Sequence, residues 1–128
     1  EARKLLEDIL SRQSDDESRL LLAKTFYALG DYRQSLSLAL SVYEKTRDRE
    51  AAKVIALDYA SLKDWKPALI YLEELLSEGT EVSVLNLAAE AHFNLGEKEK
   101  AVALLEKSLS LIPDQPEIKA RLASWQAK

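Results

Sequence analysis

The chain has 128 residues, 47% hydrophobic and 31% charged, with 18 Lys and Arg against 22 Asp and Glu. That length fits one ordinary domain with a real core, and the balance is too apolar for a disordered chain. A net charge of −4 argues against nucleic acid as a general partner, and the lack of cysteine removes disulfides and thiolate metal sites.

No apolar run reaches the ~18 residues that a membrane span needs, so no membrane insertion is expected. The chain starts without Met inside an amphipathic pattern, which reads as a piece of a longer protein. Its compartment is left open. With three Gly, three Pro and few β-branched residues, helix is the default state. Leu5, Leu6, Ile9 and Leu10 recur at three and four and predict a helix over 2–11. Ser14 and Glu17 have the spacing of a capping box, in which a short side chain takes orphan N–H groups and an acid reaches back. The helix they open, 17–29, carries Leu22, Phe26 and Leu29 on one face. Asp31 with Gln34 marks the next start, and Leu36, Ala39, Val42 and Tyr43 carry that helix over 32–46. Helices over 50–62 and 65–77 follow, the second with Pro67 in its first turn, where a missing N–H costs little. The last three are expected over 81–94, 98–111 and 116–126. Pro113 follows the second of these, and Asp114, Glu117 and Pro116 announce the third. Eight helices with short connections pack as antiparallel hairpins.

The same turn is written three times. Ala28-Leu-Gly-Asp-Tyr, Ser61-Leu-Lys-Asp-Trp and Asn94-Leu-Gly-Glu-Lys place Gly30, Lys63 and Gly96 at a 33-residue spacing. In that register Ala23, Ala56 and Ala89 form one column, and Leu29, Leu62 and Leu95 another. Phe26, Tyr59 and His92 form a third, and Ser35, Ala68 and Ala101 a small-residue column in the second helix of each pair. A small residue lets two helix backbones approach, and a ring one turn away fills the space beside it. Ala2-Arg-Lys-Leu-Leu-Glu matches Ala101-Val-Ala-Leu-Leu-Glu, so the first helix reads as the second helix of a preceding repeat.

These columns resemble the tetratricopeptide-repeat family, whose units combine a W-x2-L-G-x2-Y segment with A-x3-F and a closing Pro. The matches are Leu22-Ala23-x2-Phe26, Ile55-Ala56-x2-Tyr59 and Ala88-Ala89-x2-His92, then Ser35-x3-Ala39, Ala68-x3-Leu72 and Ala101-x3-Leu105, with Pro113 closing the last. Arg19, Ala52 and Leu85 stand where the family favours Trp, and the period is 33 rather than 34. Ankyrin repeats share that period, but their Thr-Pro-Leu-His signature is absent. The resemblance implies an all-α fold, a right-handed superhelical solenoid of antiparallel helix pairs. It divides a single domain, 1–128, into a truncated repeat over 1–13, repeats over 16–48, 49–81 and 82–115, and a capping helix over 116–128.

Catalysis needs converging acid, base or nucleophilic groups, and the pattern offers none, so an enzyme is not expected. His92 is the only histidine and sits in the ring column, which makes it a packing residue. Asp15-Asp16 and Glu73-Glu74 lie at caps or on helix surfaces among lysines, as solvated faces do. Trp65 and Trp125 read as packing residues. No phosphate loop and no metal-ligand spacing occurs, so no cofactor and no metal are expected.

The resemblance implies a concave face lined by the first helix of each repeat, receiving an extended peptide or a helix of a protein partner. Helical spacing from the packing columns puts Leu20, Lys24, Tyr27 and Ala28 there, with Lys53, Leu57, Ala60 and Ser61, and with Asn86, Glu90, Phe93 and Asn94. Tyr27 and Phe93 are the expected anchors, because rings bury much area for few frozen torsions. Lys24, Lys53, Asn86 and Asn94 are the expected hydrogen-bond donors. Some members clamp the C-terminal carboxylate of large heat-shock chaperones with Lys, Asn and Arg on these helices. This chain has Leu20, Lys24, Lys53, Ser83 and Leu87 at the corresponding places, so most of that clamp is missing. The expected role is therefore a protein–protein interaction scaffold or adaptor module. The alternative is a structural solenoid segment that self-associates through Leu5, Ile9, Ile118, Leu122 or Trp125 of the terminal helices. An RNA-binding helical repeat conflicts with the acidic balance.

Overall fold

The computed structural model describes residues 2–4 and 16–127, which fall into two compact units, Glu1–Asp64 and Trp65–Lys128. Residues 2–4 are helical, while Leu5, Ile9 and Ser14, named in the expectations above, lie outside the described residues. Seven helices follow: α1 (Asp16–Ala28), α2 (Tyr32–Thr46), α3 (Arg49–Ser61), α4 (Trp65–Glu78), α5 (Val82–Asn94), α6 (Lys98–Leu111) and α7 (Pro116–Gln126). Each lies within one residue of its expected bounds. Among the described residues there is no strand, and no helix is long and apolar enough to cross a membrane.

The three like-spaced turns adopt one conformation. Gly30, Lys63 and Gly96 have φ of 83°, 64° and 84°. The amide of the next residue reaches back to a ring-column carbonyl in each: Asp31 N–H to Phe26 at 2.9 Å, Asp64 N–H to Tyr59 at 2.8 Å, Glu97 N–H to His92 at 2.8 Å. This closes the last helical turn by satisfying carbonyls that lose their own partners. Glycine takes the left-handed conformation without penalty; at Lys63 a side-chain-bearing residue is held in it by the same bonds.

In the first unit α2 packs against α1 and α3, and α1 also touches α3. Ala23 and Ala56 are 0% and 1% exposed, so the small column is where the backbones meet. Phe26, Val42, Tyr43 and Ile55 fill the space around it. The N-terminal turns are capped by Asp31, which accepts from the Gln34 amide at 3.3 Å, and by Asp48, which accepts from the Glu50 amide at 2.9 Å. Each such cap is worth about 1 kcal/mol. Arg3 forms an ion pair with Asp31 and lies over the Phe26 ring at 5.3 Å.

In the second unit α5 packs against α4 and α6, and α7 closes on α6. Ala68, Ala89 and Ala101 are completely buried, and Leu72, Leu75, Leu85 and Leu105 are at most 1% exposed. Burial of each such leucine contributes about 1.5–3 kcal/mol. Ala89, Ala101, Leu105, Ile118 and Trp125 form one cluster. Two expectations change here. The box expected from Asp114 and Glu117 is not the cap of α7: Gln115 takes the cap position, Asp114 is exposed, and no side chain caps the turn. The side chain of Gln115 donates instead to the carbonyl of Ile112 at 2.8 Å and to that of Ser108 at 3.2 Å, the latter shared with the Ile112 amide. Ile118 and Trp125, expected on a self-association surface, are 9% and 8% exposed and belong to the core. Leu122 packs against the same cluster, since α7 turns its apolar face inward.

Candidate functional site

On the first unit the expected residues divide between surface and core. Leu20 is 8% exposed and leaves the set, because its side chain is part of the apolar core rather than a surface contact. Lys24, Tyr27, Lys53, Leu57 and Ser61 all keep some exposure on α1 and α3. Glu50 draws two of them together: its carboxylate stands 3.9 Å from Lys24 Nζ and 3.5 Å from Lys53 Nζ. A half-exposed pair such as Lys24–Glu50 is worth less than about 1 kcal/mol, so Lys24 can turn to an incoming acceptor at little cost. The Tyr27 ring sits 5.3 Å from that of Tyr32, tilted by 57°, which braces it at the end of α1 while leaving it partly open. Leu57 offers aliphatic surface beside the lysines. Two cations, a braced ring and a half-buried leucine can accept a polypeptide carrying an acidic and an apolar side chain.

The second unit differs. Phe93 stacks on Trp125 with centroids 4.2 Å apart and planes 6° off parallel. Asn86 donates to Gln115 Oε1 at 3.0 Å, and Glu90 lies 4.0 Å from Arg121 Nη1. Asn94 donates to the carbonyl of Glu90 at 2.8 Å, within its own helix. Phe93 and Asn86 are thus held by α7 and the residue before it, so they are not an open anchor and donor, whereas the half-exposed Glu90–Arg121 pair holds Glu90 no more firmly than Glu50 holds Lys24. The signal was present in the register: Trp125 stands 33 residues after His92, so α7 repeats the ring column and docks as another first helix. Ala28 and Ala60 split likewise, the first exposed and the second buried.

His92 is 8% exposed, as a packing residue should be, and adds a polar contact: its Nδ1–H donates to Glu97 Oε1 at 2.8 Å. That bond, and after it one from Lys100, holds the Glu97 carboxyl below its ordinary range. Among the described residues no three His, Cys, Asp or Glu side chains converge as a metal site would require. The polar group that sequence reasoning passed over is Asp58 on α3. It is completely buried and accepts a 2.7 Å bond from Ser35 Oγ of α2. The only sequence signal was an acid on an otherwise apolar face.

Comparison with known proteins agrees with this architecture. Residues 82–125 match the tetratricopeptide-repeat family model. Among curated proteins, the Vi polysaccharide export protein VexE of Salmonella typhi is 30% identical over 125 residues, covering 84% of this chain. The chain spans 17% of that protein's length. The structure of MamA from Desulfovibrio magneticus RS-1 superposes with a TM-score of 0.90 at 19% identity, over 98% of this chain and 73% of that one. A thermophilic repeat protein of Thermus thermophilus gives 0.78 at 20% identity, over 99% and 72%. The first repeat domain of Spaghetti (RPAP3), bound to an HSP90 peptide, gives 0.82 at 16% identity, over 89% and 92%. At these identities the likeness is one of fold.

Proposed function

We propose that this chain, whose residues 82–125 match the tetratricopeptide-repeat family and whose fold is that of such repeats, is a non-catalytic adaptor module that binds a partner polypeptide on the first-helix face of its first unit. The observation that carries this reading is the clustering of Lys24, Lys53, Tyr27 and Leu57 on α1 and α3 with their side chains still accessible. A peptide bound to the related fold of Spaghetti (RPAP3) supports it. The partner is a segment with an acidic side chain to replace Glu50 between the lysines and an apolar one to meet Tyr27 and Leu57. The match to a short part of an export protein supports placing the module within a longer polypeptide. Self-association through α7 is disfavoured, since its apolar residues are spent in the core.

The test is selection of binding peptides from a displayed library, followed by affinity measurements on variants. The double change Tyr27→Ala with Lys53→Ala should weaken a selected peptide at least ~30-fold, equivalent to about 2 kcal/mol. Lys45→Ala with Lys107→Ala, on exposed faces of α2 and α6, should leave it nearly unchanged. The reverse pattern would place the contact on the second helices.

A further inference from the structure

Where α2 meets α3, the carboxyl of Asp58 is 0% exposed. Its Oδ2 accepts from Ser35 Oγ at 2.7 Å, and Ser35 is itself 0% exposed. Its Oδ1 is buried with no hydrogen-bond partner. As a carboxylate this group would hold a full charge on one hydrogen bond in an apolar joint, which is among the costlier arrangements a fold can contain. As a neutral acid it needs much less: with the proton on Oδ2 the acid donates to Ser35 Oγ along the same line, and Oδ1 is an uncharged carbonyl oxygen. The second unit shows the joint without this pair. At the same register positions, 33 residues on, stand Ala68 and Ala91, both 0% exposed.

We propose that the Ser35–Asp58 contact is a proton-operated joint: the neutral acid holds α2 and α3 together, and loss of its proton weakens their packing. Burial pushes the Asp58 carboxyl from 3.8 up to about 7, and the Ser35 bond opposes this only in part. Burial and Ser35 are what act on the carboxyl. The charged Lys24, Glu50 and Lys53 of α1 and α3 meet one another at the exposed face, and the buried Tyr43 of α2 lies under the Arg47 guanidinium at 5.1 Å. An acid with a raised folded-state value stabilises the fold fully below its unfolded value. That contribution declines as pH rises from about 4 and is gone once the folded value is passed. The switching range thus ends near neutrality, and the contact it loosens is that of α2 with α3, the helix that carries Lys53 and Leu57.

The experiment is denaturant unfolding of the chain at pH 5.5 and pH 8.5, comparing the parent with Ser35→Ala/Asp58→Ala, which reproduces the alanine joint of the second unit. With values of 3.8 and about 7, the parent's unfolding constant should rise about 30-fold more between these pH values than that of the double variant. Equal pH dependence of the two proteins would overturn the proposal. Should the double variant fail to fold, the carbon resonance of the Asp58 carboxyl in the parent decides: a midpoint near 7 supports the joint, and one near 4 refutes it.

Discussion

Replacing Lys63 by glycine should stabilise the protein, although it removes a side chain and touches no core residue. Lys63 holds φ of 64° in a turn whose hydrogen bonds duplicate those at Gly30 and Gly96. A left-handed conformation costs a residue with a Cβ roughly 1–2 kcal/mol. Glycine escapes that cost but loses about 0.5–1 kcal/mol more through the greater freedom of its unfolded chain. The net gain for Lys63→Gly is about 0.5–1 kcal/mol, or about 2–4 °C in Tm for a chain of this size. Gly96→Ala should do the opposite, lowering stability by about 1 kcal/mol. A Cβ at Gly96 meets nothing within 4 Å, so the loss there is purely one of backbone conformation. Thermal unfolding followed by far-ultraviolet circular dichroism measures both. A lower Tm for Lys63→Gly, or a higher one for Gly96→Ala, would refute the equivalence of the turns.

Trp125→Ala should cost about 3–5 kcal/mol, because the ring is 8% exposed and stacked on Phe93. Denaturant unfolding reads this directly, and a loss under about 1 kcal/mol would remove α7 from the core. Ala101→Asp, which buries a charge where helices touch, should cost several kcal/mol, whereas exposed Glu74→Gln should change stability by about half a kcal/mol or less. Glu97, held below its ordinary value of 4.5 first by the His92 bond and then by Lys100, contributes stability at neutral pH that is lost as pH falls through its lowered value. Glu97→Gln should flatten that acid limb of the stability profile, and an unchanged limb would separate Glu97 from it.

The helices were legible because their signals are local: the 33-residue columns, Asp31 as a cap, Pro116 at a first turn, and glycine at two of three helix ends. Lys63 could be read as a left-handed turn residue only through its alignment with Gly30 and Gly96, since lysine by itself predicts the contrary. The candidate face was legible only in part. Helical spacing says which side chains share a face and not which neighbour covers it. Tyr27 and Lys53 therefore kept partial exposure beside Tyr32 and Glu50, while Phe93 and Asn86 were taken up by Trp125 and Gln115. Leu20 failed for the same reason, lying close enough to the core stripe to be drawn into it. Asp58 escaped notice because an acid on an apolar face has no sequence signature of the hydroxyl that meets it from another helix.

Site-specific photo-crosslinking within the natural polypeptide tests the proposed binding face most directly. A photoreactive phenylalanine analogue would replace Tyr27 on α1, Leu57 on α3, Lys45 on α2 or Lys107 on α6, one position at a time. A binding face on the first helices predicts adducts with one and the same partner polypeptide from positions 27 and 57, and none from 45 and 107. Adducts from 45 and 107 alone, or from none of the four, would contradict it.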